Sequence, residues 1–287
     1  MLTILTDILL QATEGQYGVI APDFTNLFTA KTMLETAQSL NAPLILSYSV
    51  SFKPMMDVGE YEDFIAIVKK EIARVRVPVC LHLDHATNLE DIREAVELGF
   101  SSVMIDGSTL SFEDNVELTR QAVEIARPAG VAVEAELGQV TTGEGYFRNG
   151  PREEMHTDPQ QARPFVEQTG IDALAVAIGN IHGAYIGKPV IDLRRLKDIA
   201  RQVDIPLVLH GTSGIGDQNL RETIQAGIRK INLYSELIKN QYTRIRDVLQ
   251  KTLTDPVAVV RAEREGIQTV LETYIQLSGS KGQGDYD

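Results

Sequence analysis

Eight short runs rich in apolar and β-branched residues recur along the chain, each followed by a longer stretch of helical period, and few folds accommodate that alternation. The runs are YGVIAPDF (17–24), PLILSYS (43–49), VPVCLHLDH (77–85), SSVMIDGS (101–108), VAVEAELGQV (131–140), IDALAVAIGNIHG (171–183), IPLVLHGTSG (205–214) and RKINLYSEL (229–237). Between them lie amphipathic segments. DIREAVELGF carries Ile92, Ala95, Val96 and Leu98 on one side, and RETIQAGI carries Ile224 and Ile228 four apart. Continuously apolar strands separated by helical crossovers imply a parallel sheet covered on its outer face. Eight such units in 287 residues favour an α/β fold of the (β/α)8 TIM-barrel type, with a doubly wound open sheet as the alternative.

Start and stop signals agree with this division. Thr87 and Glu90 fit a capping box, Ser111 and Asp114 a weaker one, and Asp158-Pro159 reads as N-cap and first-turn proline. Pro43, Pro78 and Pro206 stand at strand starts, where a missing N–H costs little. No linker divides residues 1–278, which read as one barrel with additional C-terminal helices. GSKGQGDYD (279–287) reads as a disordered tail.

Composition excludes some functions. The formal net charge of −13 argues against a nucleic-acid partner, which needs a basic face. No apolar run reaches the roughly 18–20 residues that span a bilayer, and the N-terminus lacks a signal-peptide pattern, so no membrane partner and a cytoplasmic location are expected. The single cysteine, Cys80, excludes an internal disulfide and thiolate clusters. A metal would therefore rely on His, Asp and Glu.

In such a barrel the C-terminal strand ends converge on one mouth. His85 ends the third strand, His182 follows the sixth and His210 ends the seventh. Each alone reads better as a lone hydrogen-bonded rim residue. Together they match a catalytic zinc site with three protein ligands and an open position. Asp84, beside His85 at the end of an apolar strand, needs a partner or a task. It is either a general base or the orienter of a histidine. Asp106 and Glu136, with Glu134, offer a second metal position or support for the imidazoles, with strand parity expected to put some of these acids outside the barrel. His82 reads as core or support and His156 as a loop residue. Gly211, Ser213 and Gly214 in HGTSGIGD, Gly183 and Lys188 in HGAYIGK, and Asn232 and Ser235 in INLYSEL stand where backbone N–H groups and helix starts hold anions.

LHLDHATNLEDIREAVELGFSSVMIDGSTLSFEDNVELTR, VEAELGQV, AVAIGNIHGAY and PLVLHGTSGI together resemble the class II, zinc-dependent fructose/tagatose-bisphosphate aldolases. The resemblance implies a carbon–carbon lyase that cleaves a ketose phosphate or bisphosphate to dihydroxyacetone phosphate and an aldehyde. It implies one zinc ion on His85, His182 and His210, with Asp84 exchanging a proton at the cleaved bond. Glu144 in TTGEGY would move a second proton. It further implies phosphate contacts from Gly183, Gly211, Ser213, Asn232 and Ser235, with Lys188 and a monovalent cation, a substrate wall including Asp23 and Ser49, and a homodimer or homotetramer. Three positions depart from the family's pattern. Asp23 stands where a neutral asparagine is usual, Tyr234 where a small or acidic residue is usual, and Lys188 is displaced. The departures leave open a non-phosphorylated or modified ketose. A metal-dependent hydrolase and a non-catalytic barrel are the competing readings from other classes.

Overall fold

The computed structural model describes residues 1–55, 60–142, 155–183, 185, 187–251 and 255–286. All eight expected strands form one parallel sheet: β1 Val19–Pro22, β2 Leu44–Ser49, β3 Val79–Ala86, β4 Ser102–Ile105, β5 Ala132–Leu137, β6 Ala173–Val176, β7 Leu207–Leu209 and β8 Ile228–Leu233. Neighbours run β1-β8-β7-β6-β5-β4-β3-β2. A bridge between Asp23 and Ser47, with the Phe24 N–H donating to the Ser47 carbonyl at 3.0 Å, joins β1 to β2. The sheet thus closes into a (β/α)8 barrel.

Helices α1 Leu5–Glu14, α2 Leu27–Ser39, α3 Glu60–Ile72, α4 Leu89–Leu98, α5 Phe112–Ala126, α6 Pro159–Thr169, α7 Leu193–Ala200, α8 Asp217–Gln225, α9 Ser235–Leu249 and α10 Pro256–Ser278 accompany it. Among these described helices none is long and apolar enough to cross a membrane. Ser111 and Asp158 cap α5 and α6 as expected. Helix α4 starts one residue later than the Thr87 capping box implies. Asn88 is its cap, accepting from the Glu90 and Asp91 N–H groups at 3.0 Å each. An asparagine caps at least as well as a threonine, and here it stands next to the first helical residue.

Strand parity builds the core. In β3, Val79, Leu81 and Leu83 join the apolar layer beneath the helices, while Cys80, His82 and Asp84 alternate with them and point into the barrel. In β5, Val133, Ala135 and Leu137 face out, which sends both Glu134 and Glu136 inward. The expected sixth run is shorter in the sheet than 171–183. Gly179, at φ +96°, turns the chain, and Ile181–His182 pairs instead with Thr141–Thr142 in a separate parallel ribbon.

The opposite end of the barrel is plugged. Leu5, Ile8, Leu9 and Ala12 of α1 are fully buried against a floor that includes Cys80, Ala132, Ala173 and Ala175. Small inward residues leave room for the helix, and each large side chain buried there contributes about 1.5–3 kcal/mol. The expected disorder after residue 278 is corrected by the structure. The Gly282 and Gly284 N–H groups donate to the Leu40 and Asn41 carbonyls at 3.0 and 2.8 Å, and Tyr286 packs on the α1 cluster. Gly279 and Gly282, at φ +78° and +80°, supply turns that lead the segment back to the protein surface.

Candidate active site

A regular strand cannot send two successive side chains to the same side, yet Asp84 and His85 both line the mouth. The register between β3 and β4 shifts between Leu83 and Ala86, and His85 adopts φ +53°. This irregularity at the strand end turns His85 back toward the mouth, as a bulge next to an active site does. A non-glycine residue in the left-handed region costs about 1–2 kcal/mol, a strain the surroundings must hold in place.

The three histidines come together as expected. Ring centroids lie 4.7 Å apart for His85–His210, 5.1 Å for His85–His182 and 5.8 Å for His182–His210. One nitrogen from each lies within 4.8 Å of the others. His210 Nδ1 and His85 Nε2 face each other at 3.0 Å. Their far nitrogens are anchored by carboxylates, His85 Nδ1 by Asp106 at 2.9 Å and His210 Nε2 by Glu134 at 3.0 Å. Such outer carboxylates fix ring orientation and tautomer in metal sites, so the donor set fits a cation.

The electrostatics are uneven. Burial alone would lower His85, but Asp84 and Asp106 lift it to about 10. Burial, reinforced by His210 and His85, pushes His182 down to about 3, and burial also lowers His210. A cation entering here would take the place of the proton on His85. Asp106 and Glu136 form a second ligand group with His85. Burial, followed by the Asp106 charge, pushes Glu136 up to about 8.

Asp84 is buried, and burial would raise its carboxyl, but His85 and then His82 hold it well below the usual carboxylate range. Its Oδ1 accepts from Asn232 Nδ2 at 3.0 Å, and its Oδ2 lies 3.7 Å from His85 Nε2. Lys230 donates to Asn232 Oδ1 at 2.8 Å and forms a fully buried ion pair with Glu134 at 2.8 Å. A continuous chain thus links Asp84, Asn232, Lys230, Glu134 and His210. Lys230 was not among the residues expected here, although its place two residues before Asn232 on one strand gives both the same inward face. His82 lies one layer below, bonded to Ser102 Oγ at 2.9 Å and 3.7 Å from Asp84 Oδ1.

Gly183, Gly211, Ser213, Asn232 and Ser235 line the pocket, together with Asp23, Ser49, Phe52 and Tyr234. Ser235 begins α9, so that helix start opens on the cavity, where its dipole favours an anion. Lys188 is exposed and is not among the residues that line the pocket. Glu144 lies outside the described residues. Tyr185 donates to the Gly211 carbonyl at 2.9 Å and accepts from the Ile181 N–H at 3.1 Å, clamping the His182 ribbon to the His210 loop. Gly211 has φ +62°, and a Cβ there would meet the Ile181 carbonyl oxygen at 2.2 Å. Gly211→Ala is therefore expected to cost at least about 1–2 kcal/mol from the backbone alone. It should also displace His182, seen as a lower denaturation midpoint together with weaker metal retention.

A parallel (β/α)8 barrel whose reactive side chains all stand at the C-terminal strand ends is the architecture of a barrel enzyme. Residues 3–283 match the family model described as fructose-bisphosphate aldolase class-II, and the chain belongs to that family of carbon–carbon lyases. It is similar to the YdjI aldolase of Escherichia coli K12, with 33% identity over 99% of this chain and 100% of that one, at a TM-score of 0.88. The fold is shared with the fructose-bisphosphate aldolase of Campylobacter jejuni, at 22% identity, 98% and 96% coverage and a TM-score of 0.83.

Proposed function

We propose that this aldolase reversibly cleaves a ketose phosphate to dihydroxyacetone phosphate and an aldehyde, with one zinc ion held by His85, His182 and His210. The observation that carries the reading is the meeting of three ring nitrogens within 4.8 Å beside the buried Asp84. When bound, the zinc ion polarises the ketone carbonyl of the substrate.

Asp84 takes the proton from the hydroxyl whose oxygen becomes the aldehyde carbonyl, while the carbon–carbon bond breaks and its electron pair stays with the ketone half. In the synthetic direction it returns that proton. Asn232 holds the carboxylate in place, and Lys230 fixes which end of the Asn232 amide faces it. The ketone half then needs a proton on carbon, the role the family resemblance gives to Glu144. Gly183, Gly211, Ser213 and Ser235, with the start of α9, hold the phosphate through N–H and O–H donors. The same reading expects a cytoplasmic homodimer or homotetramer acting in carbohydrate metabolism, with a monovalent cation near the phosphate.

A cleavage screen over fructose and tagatose phosphates and the free ketoses, run on zinc-loaded and chelator-stripped protein, tests this. Zinc-dependent release of a new carbonyl from a phosphorylated ketose is expected, and His210→Ala should lose both zinc and turnover. Cleavage of no phosphorylated ketose, or full turnover in zinc-free protein, would sink it.

A further inference from the structure

The pocket has two chemically different walls. Gly183, Gly211, Ser213 and Ser235 follow β6, β7 and β8, and that side presents backbone N–H groups, hydroxyls and a helix start. Asp23, Ser49 and Asp84 stand at the ends of β1, β2 and β3. This second side presents two carboxyl groups, those of Asp23 and Asp84. Among the described residues, no lysine or arginine lines the pocket on either side.

Asp23 is held firmly at this wall. Its N–H donates to the Leu233 carbonyl at 3.2 Å, and the residue forms the bridge to Ser47 that closes the barrel. Its Oδ1 is nevertheless buried with no hydrogen-bond partner among the described residues. A buried polar atom without a partner is costly, and this one stands on the pocket wall, where a ligand donor can reach it.

Resting on the aldol reading above, we propose that Asp23 is a specificity-determining residue: it hydrogen-bonds a hydroxyl of the aldehyde-derived half and makes the preferred substrate a ketose 1-monophosphate, not a bisphosphate. A carboxyl group pairs with a hydroxyl in either protonation state, as acceptor or as both donor and acceptor. A phosphate dianion at the same place would find no lysine or arginine among the described lining residues and would meet the acceptor oxygen of Asp23 instead of a donor. The single phosphate therefore goes to the donor-rich wall and the hydroxylated end to the acidic one. Phe52 and Tyr234, with rings 5.5 Å apart, border the cavity without supplying a cation.

The test compares kcat/KM for the 1-phosphates of fructose and tagatose with their 1,6-bisphosphates, on zinc-loaded wild type and Asp23→Asn. Wild type should favour the monophosphate of whichever sugar it cleaves by at least about tenfold, since a site built to bond a hydroxyl discriminates strongly. Asp23→Asn should narrow that ratio about tenfold, because the amide removes the acidic group and adds an N–H donor. A wild-type preference for the bisphosphate, or an unchanged ratio in the variant, would overturn the proposal while leaving the aldol reading intact. If the variant loses its fold or its zinc, the wild-type ratio alone decides. Cleavage of no ketose phosphate at all by wild type would remove both.

Discussion

Asp84→Asn is expected to lower turnover by about 10²–10⁴-fold, the usual contribution of a positioned general base, while zinc content per subunit stays at the wild-type level. The separation follows from geometry. The three imidazoles converge without Asp84, whose Oδ2 is 3.7 Å from the nearest ligand nitrogen, His85 Nε2. The asparagine keeps the volume and still accepts the 3.0 Å bond from Asn232 Nδ2 through its own oxygen. What it loses is the capacity to take a proton. A second measurement localises the loss. Exchange of the carbon-bound proton of dihydroxyacetone phosphate with solvent does not require the hydroxyl proton that Asp84 handles, so it should survive in the variant while cleavage falls. Near-wild-type turnover, or loss of zinc in step with turnover, would show that Asp84 only supports the metal ligands.

Much of this was legible in the sequence because it depends on period. Eight apolar runs at helical spacing announce a barrel, and the barrel's handedness brings His85, His182 and His210 to one rim however far apart they lie in the chain. Parity within strands corrects the expectation that some acids of VEAELG turn outward: Glu134 and Glu136, two residues apart, share one face, and the outward Val133, Ala135 and Leu137 send both into the barrel. The positive φ at His85 was not legible, because a local register shift has no composition of its own and only the neighbouring strand reveals it. The order of the C-terminal tail is hidden in the sequence for a related reason. Glycines signal freedom of the backbone, and whether that freedom becomes disorder or a turn depends on the surface the segment meets, here the Leu40 and Asn41 carbonyls. Lys188 shows the limit of reading by proximity: five residues after Gly183, it is exposed and is not among the residues that line the cavity. Lys230 carries no sign of its role in the sequence, because a lone lysine in a strand reads as a solvated charge, and only its barrel parity with Asn232 marks it as buried.

That buried lysine carries the largest expected effect on stability. Lys230→Met should destabilise the protein by about 3–5 kcal/mol, the range seen when one partner of a buried ion pair is removed. The side chain and Glu134 are both fully buried at 2.8 Å, so no water replaces the missing ammonium. The variant would leave Glu134 with His210 as its remaining close partner and would remove the donor to Asn232 Oδ1. Asn232 would then lose the contact that sets its amide toward Asp84, so turnover should fall along with the urea midpoint. Adding Glu134→Gln should recover at least part of the lost stability, since glutamine can still accept from His210 without a buried charge. The pH dependence gives an independent check. In wild type, burial would raise Glu134, but Lys230 and His210 hold it at about 2 against an ordinary 4.5. Its contribution is therefore full above pH 4.5 and is lost as pH falls toward 2. Without Lys230 the buried carboxyl titrates upward, and the folded variant takes up the proton more readily than the unfolded chain. The stability gap between wild type and Lys230→Met should thus be widest at neutral pH and narrow as the solution is acidified. A gap that stayed constant with pH would mean that the lysine acts through packing of its methylenes and not through its charge on Glu134.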